Sequence, residues 1–170
     1  MPASGSRSSI PMAAFWATVL AVLCLPGSTL PTGDASPVLA RRAGLNTVLD
    51  TQMHFGTLAD DDGSVEIGTT DNVVSDPDHL FVDPTVFSGV IDVTGDANAA
   101  VSITIVGGSA TGLSLSHFVT SEGTPPLTSV FLDGDGFLRL RIGARLTVDR
   151  EFAIPGEGRE IEYTVTILYE

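Results

Sequence analysis

Three consecutive aspartates and a glycine, Asp60-Asp61-Asp62-Gly63, form the stretch whose residue types most resemble a metal-ligand set. Carboxylate oxygens are preferred Ca²⁺ ligands, and one ion takes roughly six to eight oxygens. A single acidic turn supplies two or three, so further carboxylates, with Asp76 and Asp78 the first candidates, must converge on it. The alternative is an Asx-type turn, in which the short side chains bond to nearby backbone and Gly63 supplies a positive φ. The sequence favours the turn and leaves the Ca²⁺ site open.

A second acidic stretch, Asp133-Gly134-Asp135-Gly136, resembles the opening of an EF-hand loop. Phe137 stands where that loop needs its third oxygen ligand, and Ala144 stands where it needs a glutamate. Asp-Gly pairs between apolar runs are strong hairpin signals. We therefore interpret this stretch as a hairpin turn.

Other chemistry-bearing residues do not form a recognisable catalytic set. The three histidines, His54, His79 and His117, lack metal-ligand spacing, and the parity of Leu113 and Leu115 predicts that His117 points inward or ends a strand. No G-x-S-x-G nucleophile elbow is present. Glu160 and Glu162 lie about 7 Å apart on an extended strand, a spacing that an exposed alternation explains as well as a glycosidase does. We expect no catalytic residues, no enzyme activity and no cofactor, with Ca²⁺ as the alternative.

The charge balance bears on the class of partner. The 170 residues carry 21 acidic side chains and 8 arginines, with no lysine, for a net charge of −13. Binding to a phosphate backbone depends on clustered cationic side chains, which release counterions. Nucleic acid is therefore not an expected partner.

The amino-terminal region has the features of a signal peptide. Met12 to Leu25 is a 14-residue run without charge, the length of a signal-peptide apolar region and short for a membrane span. Small residues allow cleavage after Ala35 or after Ala40. We assign residues 1–40 to the signal peptide and expect an exported protein without stable membrane insertion after cleavage. Cys24, the one cysteine, lies in the apolar run, so thiol chemistry is not expected in the mature chain.

Alternating apolar and polar residues dominate the remainder, 41–170, which we interpret as one domain. Ile161, Tyr163, Val165, Ile167 and Tyr169 alternate with polar residues, and Leu138, Leu140 and Ile142 alternate with arginines. Gly143, after the second run, predicts a bulge or a close approach of backbone. Such alternation is typical of strands with one buried face. The pattern predicts an all-β, antiparallel sandwich with seven to ten short strands.

The order of motifs resembles a family of bacterial secreted proteins, domain of unknown function 4402. The resemblance rests on MHFGTL (53–58), SVEIG (64–68), FSGVIDVTGDANAAVSITI (87–105), LDGDGFLRLRIGARLTV (132–148) and EYTVTILYE (162–170). His54 replaces the usual acid before Phe55-Gly56, and Arg159-Glu160 replaces a turn glycine. The resemblance implies an immunoglobulin-like β-sandwich that is secreted, periplasmic or at the cell surface, and it implies no activity.

These features predict a non-enzymatic protein with a structural, surface or adhesive role. The alternating last strand with Tyr169 as penultimate residue is similar to the end of fimbrial subunits, which assemble by strand pairing. Self-association, or a surface protein partner bound by strand pairing, is therefore the expected interaction. A Ca²⁺- or carbohydrate-binding module is the alternative. Its carbohydrate version is weakened because residues 41–170 contain no tryptophan to form an aromatic platform.

Overall fold

The computed structural model describes residues 20–24, 35–36, 38–40, 44–151 and 158–170, with side chains for 44–151 and 160–170. Most of the predicted signal peptide lies outside these ranges. The described chain is all-β, with no helix. Its strands are β1 (Leu20–Cys24), β2 (Ala35–Ser36), β3 (Val38–Ala40), β4 (Asn46–Thr51), β5 (Thr57–Leu58), β6 (Gly63–Ile67), β7 (Val73–Ser75), β8 (Phe81–Asp83), β9 (Gly89–Thr94), β10 (Ala100–Val106), β11 (Ser109–Ala110), β12 (Leu113–Thr120), β13 (Leu127–Phe131), β14 (Phe137–Val148), β15 (Gly158–Glu160) and β16 (Thr164–Tyr169).

The 12-residue strand β14 is the centre of the largest sheet. One side of β14 pairs with β12, which pairs in turn with β11. The other side changes partner at Gly143: before it β14 pairs with β9, and after it with β6. A Cβ atom at Gly143 would overlap the Ile67 carbonyl oxygen, so the predicted close approach of backbone is confirmed. β4 and β7 extend the sheet further, since β4 pairs with β9 and β7 pairs with β6.

A second sheet has the order β13-β10-β16-β3. β10 pairs antiparallel with both β13 and β16, whereas β3 pairs parallel with β16. A third set of short pairings joins β15, β1, β5 and β8, with β2 on β1. The antiparallel all-β architecture predicted from the alternation is confirmed.

The hydrophobic core combines side chains of both larger sheets, as in a β-sandwich. Ile91 and Leu140 of the largest sheet and Ile103 and Val165 of the second sheet are fully buried in one cluster. The rings of Phe118 and Tyr163 pack with centroids 5.5 Å apart. The predicted inward parity of the last strand is confirmed from Ile161 to Ile167, since burying the apolar face of each strand drives the two sheets together. In the described part of the chain, no helix has the length and apolar character needed to span a membrane.

Three local predictions were wrong. His117 is exposed rather than inward, because it adopts a φ of 48° at an irregularity between Ser116 and Val119 that shifts the parity of β12. The Asp133 turn is not a hairpin, because the strands on either side of it, β13 and β14, belong to different sheets. The strands outnumber the seven to ten expected, because loops also form pairings of two or three residues, as in β5, β8 and β11.

Candidate functional site

The acidic turn after β5 is bound to the end of β14. The Asp62 carboxylate accepts the Arg150 backbone N–H at 2.7 Å, and Asp61 forms an exposed ion pair with the Arg150 guanidinium at 3.1 Å. The register explains this contact. Gly63 opposes Val148 in an antiparallel pair, so the residues before Gly63 lie beside the residues after Val148. Two of the three predicted ligands are thus occupied by Arg150.

The acidic loop between β7 and β8 folds back beside this turn. Asp78 lies against Gly63 and accepts the Ser64 backbone N–H at 3.1 Å. Asp76 accepts the backbone N–H groups of Leu80 and Phe81, at 2.7 and 3.3 Å. Asp76 thus accepts donors from its own loop, whereas Asp78 accepts a donor from the start of β6, and together these bonds hold the irregular loop in one conformation.

The predicted Ca²⁺ ligands do not form a coordination shell. Within 44–151 and 160–170, no three carboxylate, imidazole or thiol groups lie close enough to hold a metal ion. Oδ1 of the half-buried Asp60 has no hydrogen-bond partner there, but one oxygen falls far short of the six or more that Ca²⁺ requires. The Ca²⁺ site remains a prediction without a geometric basis in the described residues.

A polar cluster that the sequence did not reveal joins the loop after β6 to the largest sheet. Oδ1 of Asp71 accepts both the backbone N–H and the hydroxyl of Ser88, each at 2.7 Å. The Arg141 guanidinium donates to the Thr69 carbonyl at 3.1 Å and to Asp71 at 3.3 Å. Ser88 is fully buried and its apolar neighbour Phe87 is exposed, the reverse of what an alternation of inward apolar and outward polar residues would give.

These contacts lower the pKa of the Asp71 carboxyl. Partial burial raises the pKa of this carboxyl, but the hydrogen bonds from Ser88 and the charge of Arg141 outweigh that effect, so its pKa lies below the ordinary value. An ionised Asp71 is the form that accepts these donors. The cluster fastens a loop with φ of 54° at Asp71, and no substrate-accessible nucleophile takes part, since the Ser88 hydroxyl is buried.

Arginines of β14 form ion pairs across the outer face of the largest sheet. Arg145 donates through Nε and Nη2 to Glu66 at 3.1 and 2.8 Å, and Arg139 donates to Asp50 and approaches Asp92 at 3.8 Å.

The three histidines differ in burial and do not lie together. His54 is buried, pairs its backbone with Phe87 and stacks its ring on that side chain at a centroid distance of 5.9 Å. His79 and His117 are exposed and have positive φ. An open depression elsewhere is lined by Gly112, Leu113, Ser114, Thr147 and Asp149, which offer hydroxyls and one carboxylate but no imidazole base.

Tyr169, in the last strand, forms hydrogen bonds with two distant turns of the chain. The Tyr169 hydroxyl accepts the Asp96 backbone N–H at 2.8 Å and donates to the Gly44 carbonyl at 3.4 Å. This ties the last strand to the turn after β9 and to the start of the described domain.

Comparison of the chain with protein-family models, with curated proteins and with solved structures returned no match.

Proposed function

We propose that the chain is an exported, non-enzymatic β-sandwich with a structural, surface or adhesive role at the bacterial envelope. The observation that carries the proposal is that the carboxylates of the acidic loops bind backbone groups of the same chain. Asp62, Asp71, Asp76 and Asp78 each accept backbone N–H groups. Carboxylates that hold loops in place contribute to a rigid scaffold. A reaction centre instead needs an acid, a base or a nucleophile that faces a substrate-accessible cavity.

The immunoglobulin-like assignment is part of the same proposal. It is supported by the repeated passage of the chain between the two larger sheets, from β9 to β10, from β13 to β14 and from β14 to β16. The parallel pairing of β3 with the last strand supports it further. The resemblance to domain of unknown function 4402 also implies an immunoglobulin-like fold. We infer that partners are proteins bound by strand pairing, and that neither nucleic acid nor a stable membrane insertion is involved.

Export is tested with a reporter fusion. Residues 1–43 are fused to an alkaline phosphatase that is active only outside the bacterial cytoplasm, and a matched fusion lacks Met12 to Leu25. We expect activity from the first fusion and none from the second, because the apolar run is the segment that the export machinery binds. Equal activity from both fusions, or none from either, contradicts export.

A further inference from the structure

The last strand, β16, has two unequal edges. Along one edge all six residues, Thr164 to Tyr169, pair with β10. Along the other edge, the described pairing consists of β3 alone, which opposes Thr164, Val165 and Thr166 in parallel. Three residues of parallel pairing form few hydrogen bonds, so this cover is weakly attached compared with the β10 side.

The sequence of β16 offers no protection against pairing with another strand. TVTILY contains no charge and no proline, although the chain as a whole carries −13. Exposed sheet edges are normally blocked by charges, prolines, bulges or a covering segment. The adjacent charge, Glu170, does not serve, because its carboxylate is bound to the backbone N–H and hydroxyl of Ser129 at 3.0 and 2.9 Å. Among the described residues, protection of this edge therefore depends on β3.

Apolar side chains stand on the outer face of the same sheet. Leu168 is 40% exposed and Phe131 is 63% exposed. Leu168 opposes Ser102 and Phe131 opposes Ala100, so the two side chains occupy neighbouring rungs of one face. The uncharged edge thus adjoins two exposed apolar side chains on the outer face of the sheet.

We propose that β16 pairs antiparallel with β16 of a second copy, and that Val38–Ala40 occupies this edge in the single chain and must leave before pairing. A second copy fits because a two-fold axis lets one uncharged strand supply both donors and acceptors to its equivalent, with little repulsion between two acidic chains. The inference deepens the strand-pairing part of the proposed function and rests on it.

The two cleavage positions predicted from the sequence flank this cover. Cleavage after Ala35 leaves β3 in the mature chain, and cleavage after Ala40 removes it. Signal processing therefore determines whether the mature chain carries the β3 segment that must leave before pairing.

The first test measures association of the chain as recovered after expression, with its amino terminus determined by intact mass. Sedimentation velocity is run on the parent chain, on Leu168→Lys and on the matched control Val48→Lys, whose residue is 53% exposed on the other large sheet. We expect a dimer whose Kd rises about tenfold or more in Leu168→Lys, since each of the two pairing strands then carries a like charge, and is unchanged in Val48→Lys. A dimer equally affected by both substitutions, or by neither, overturns the proposal.

The second test holds the cover in place. Val38 and Thr164 are register partners, so Val38→Cys with Thr164→Cys, in a Cys24→Ser background, places two thiols within disulfide range. On chains whose mass includes residues 36–40, we expect monomers when oxidised and dimers after reduction, with each single-cysteine chain as control. Dimers that persist when oxidised, or monomers at all concentrations after reduction, contradict the proposal. Export is scored separately by the reporter fusion, so the two failures are distinguishable.

Discussion

A Cβ atom added to Gly89 would lie 3.0 Å from the hydroxyl oxygen of Tyr163, which directly precedes β16. Tyr163 is 1% exposed, and its ring packs on Phe118 of the same sheet as Gly89. The missing side chain at Gly89 therefore makes room for the end of the tyrosine. The contact joins the start of β9 to the residue that directly precedes β16.

Gly89→Ala is expected to lower the free energy of unfolding by about 1 to 3 kcal/mol, because the new methyl group overpacks the core. The nearest atoms besides the hydroxyl are Cβ of Met53 at 3.6 Å and Cβ of Ile142 at 3.7 Å, both at ordinary contact distance. The hydroxyl is thus the specific obstacle, and adding Tyr163→Phe is expected to restore much of the loss. Urea unfolding of the four chains of this double-mutant cycle measures the coupling. Gly134→Ala, which meets no atom within 4 Å, is the control.

Tyr163→Phe alone is expected to leave stability unchanged or to raise it by up to about 1 kcal/mol at neutral pH. The buried hydroxyl has no hydrogen-bond partner among the described residues, and an unsatisfied buried polar group is costly. A clear loss of stability in the urea midpoint would contradict this reading.

Alkaline pH provides a second readout of the same residue. Burial raises the pKa of the Tyr163 phenol above its ordinary value. The unfolded chain therefore releases this proton above about pH 10 while the folded chain keeps it, so stability falls as pH rises from there. Tyr163→Phe is expected to lessen that fall. Thermal melting of both chains between neutral pH and pH about 11 measures the difference, and parallel curves would contradict the assignment.

Asp71→Asn is expected to lower stability by about 1 kcal/mol at pH 7, because it removes the charge that accepts the Ser88 and Arg141 donors. The folded-state pKa of Asp71 is depressed, so its contribution is present above the unfolded value of about 3.9 and is lost as pH falls through the folded value. The difference between the two chains should therefore shrink in acid. Urea midpoints at pH 7 and at pH about 2.5 test this, with exposed Asp135→Asn as control.

Millimolar Ca²⁺ is expected to leave the melting temperature unchanged, and so is a chelator. Ligand binding stabilises a fold only through a site present in the folded state, and the carboxylates of Asp62, Asp76 and Asp78 already accept backbone N–H groups. Differential scanning fluorimetry with and without Ca²⁺ is the measurement. An upward shift that disappears in Asp61→Ala and Asp62→Ala would instead establish the Ca²⁺ site predicted from the sequence.

The alternation of apolar residues was sufficient to predict the inner faces of β14 and β16, because one buried face per strand leaves a period of two in the sequence. It failed at His117, where an irregularity in β12 shifts the parity. It also failed at Ser88, whose burial depends on Asp71, 17 residues away in the chain. Contacts of this kind depend on how loops cross the sheets, which local patterning does not encode.

The intact mass of the chain recovered from outside the bacterial cytoplasm tests the proposed function most directly. An exported domain with a cleaved signal peptide predicts a mature protein that begins at Ser36 or at Arg41, with Cys24 removed. A chain that remains in the cytoplasmic fraction with residues 1–40 attached would contradict it.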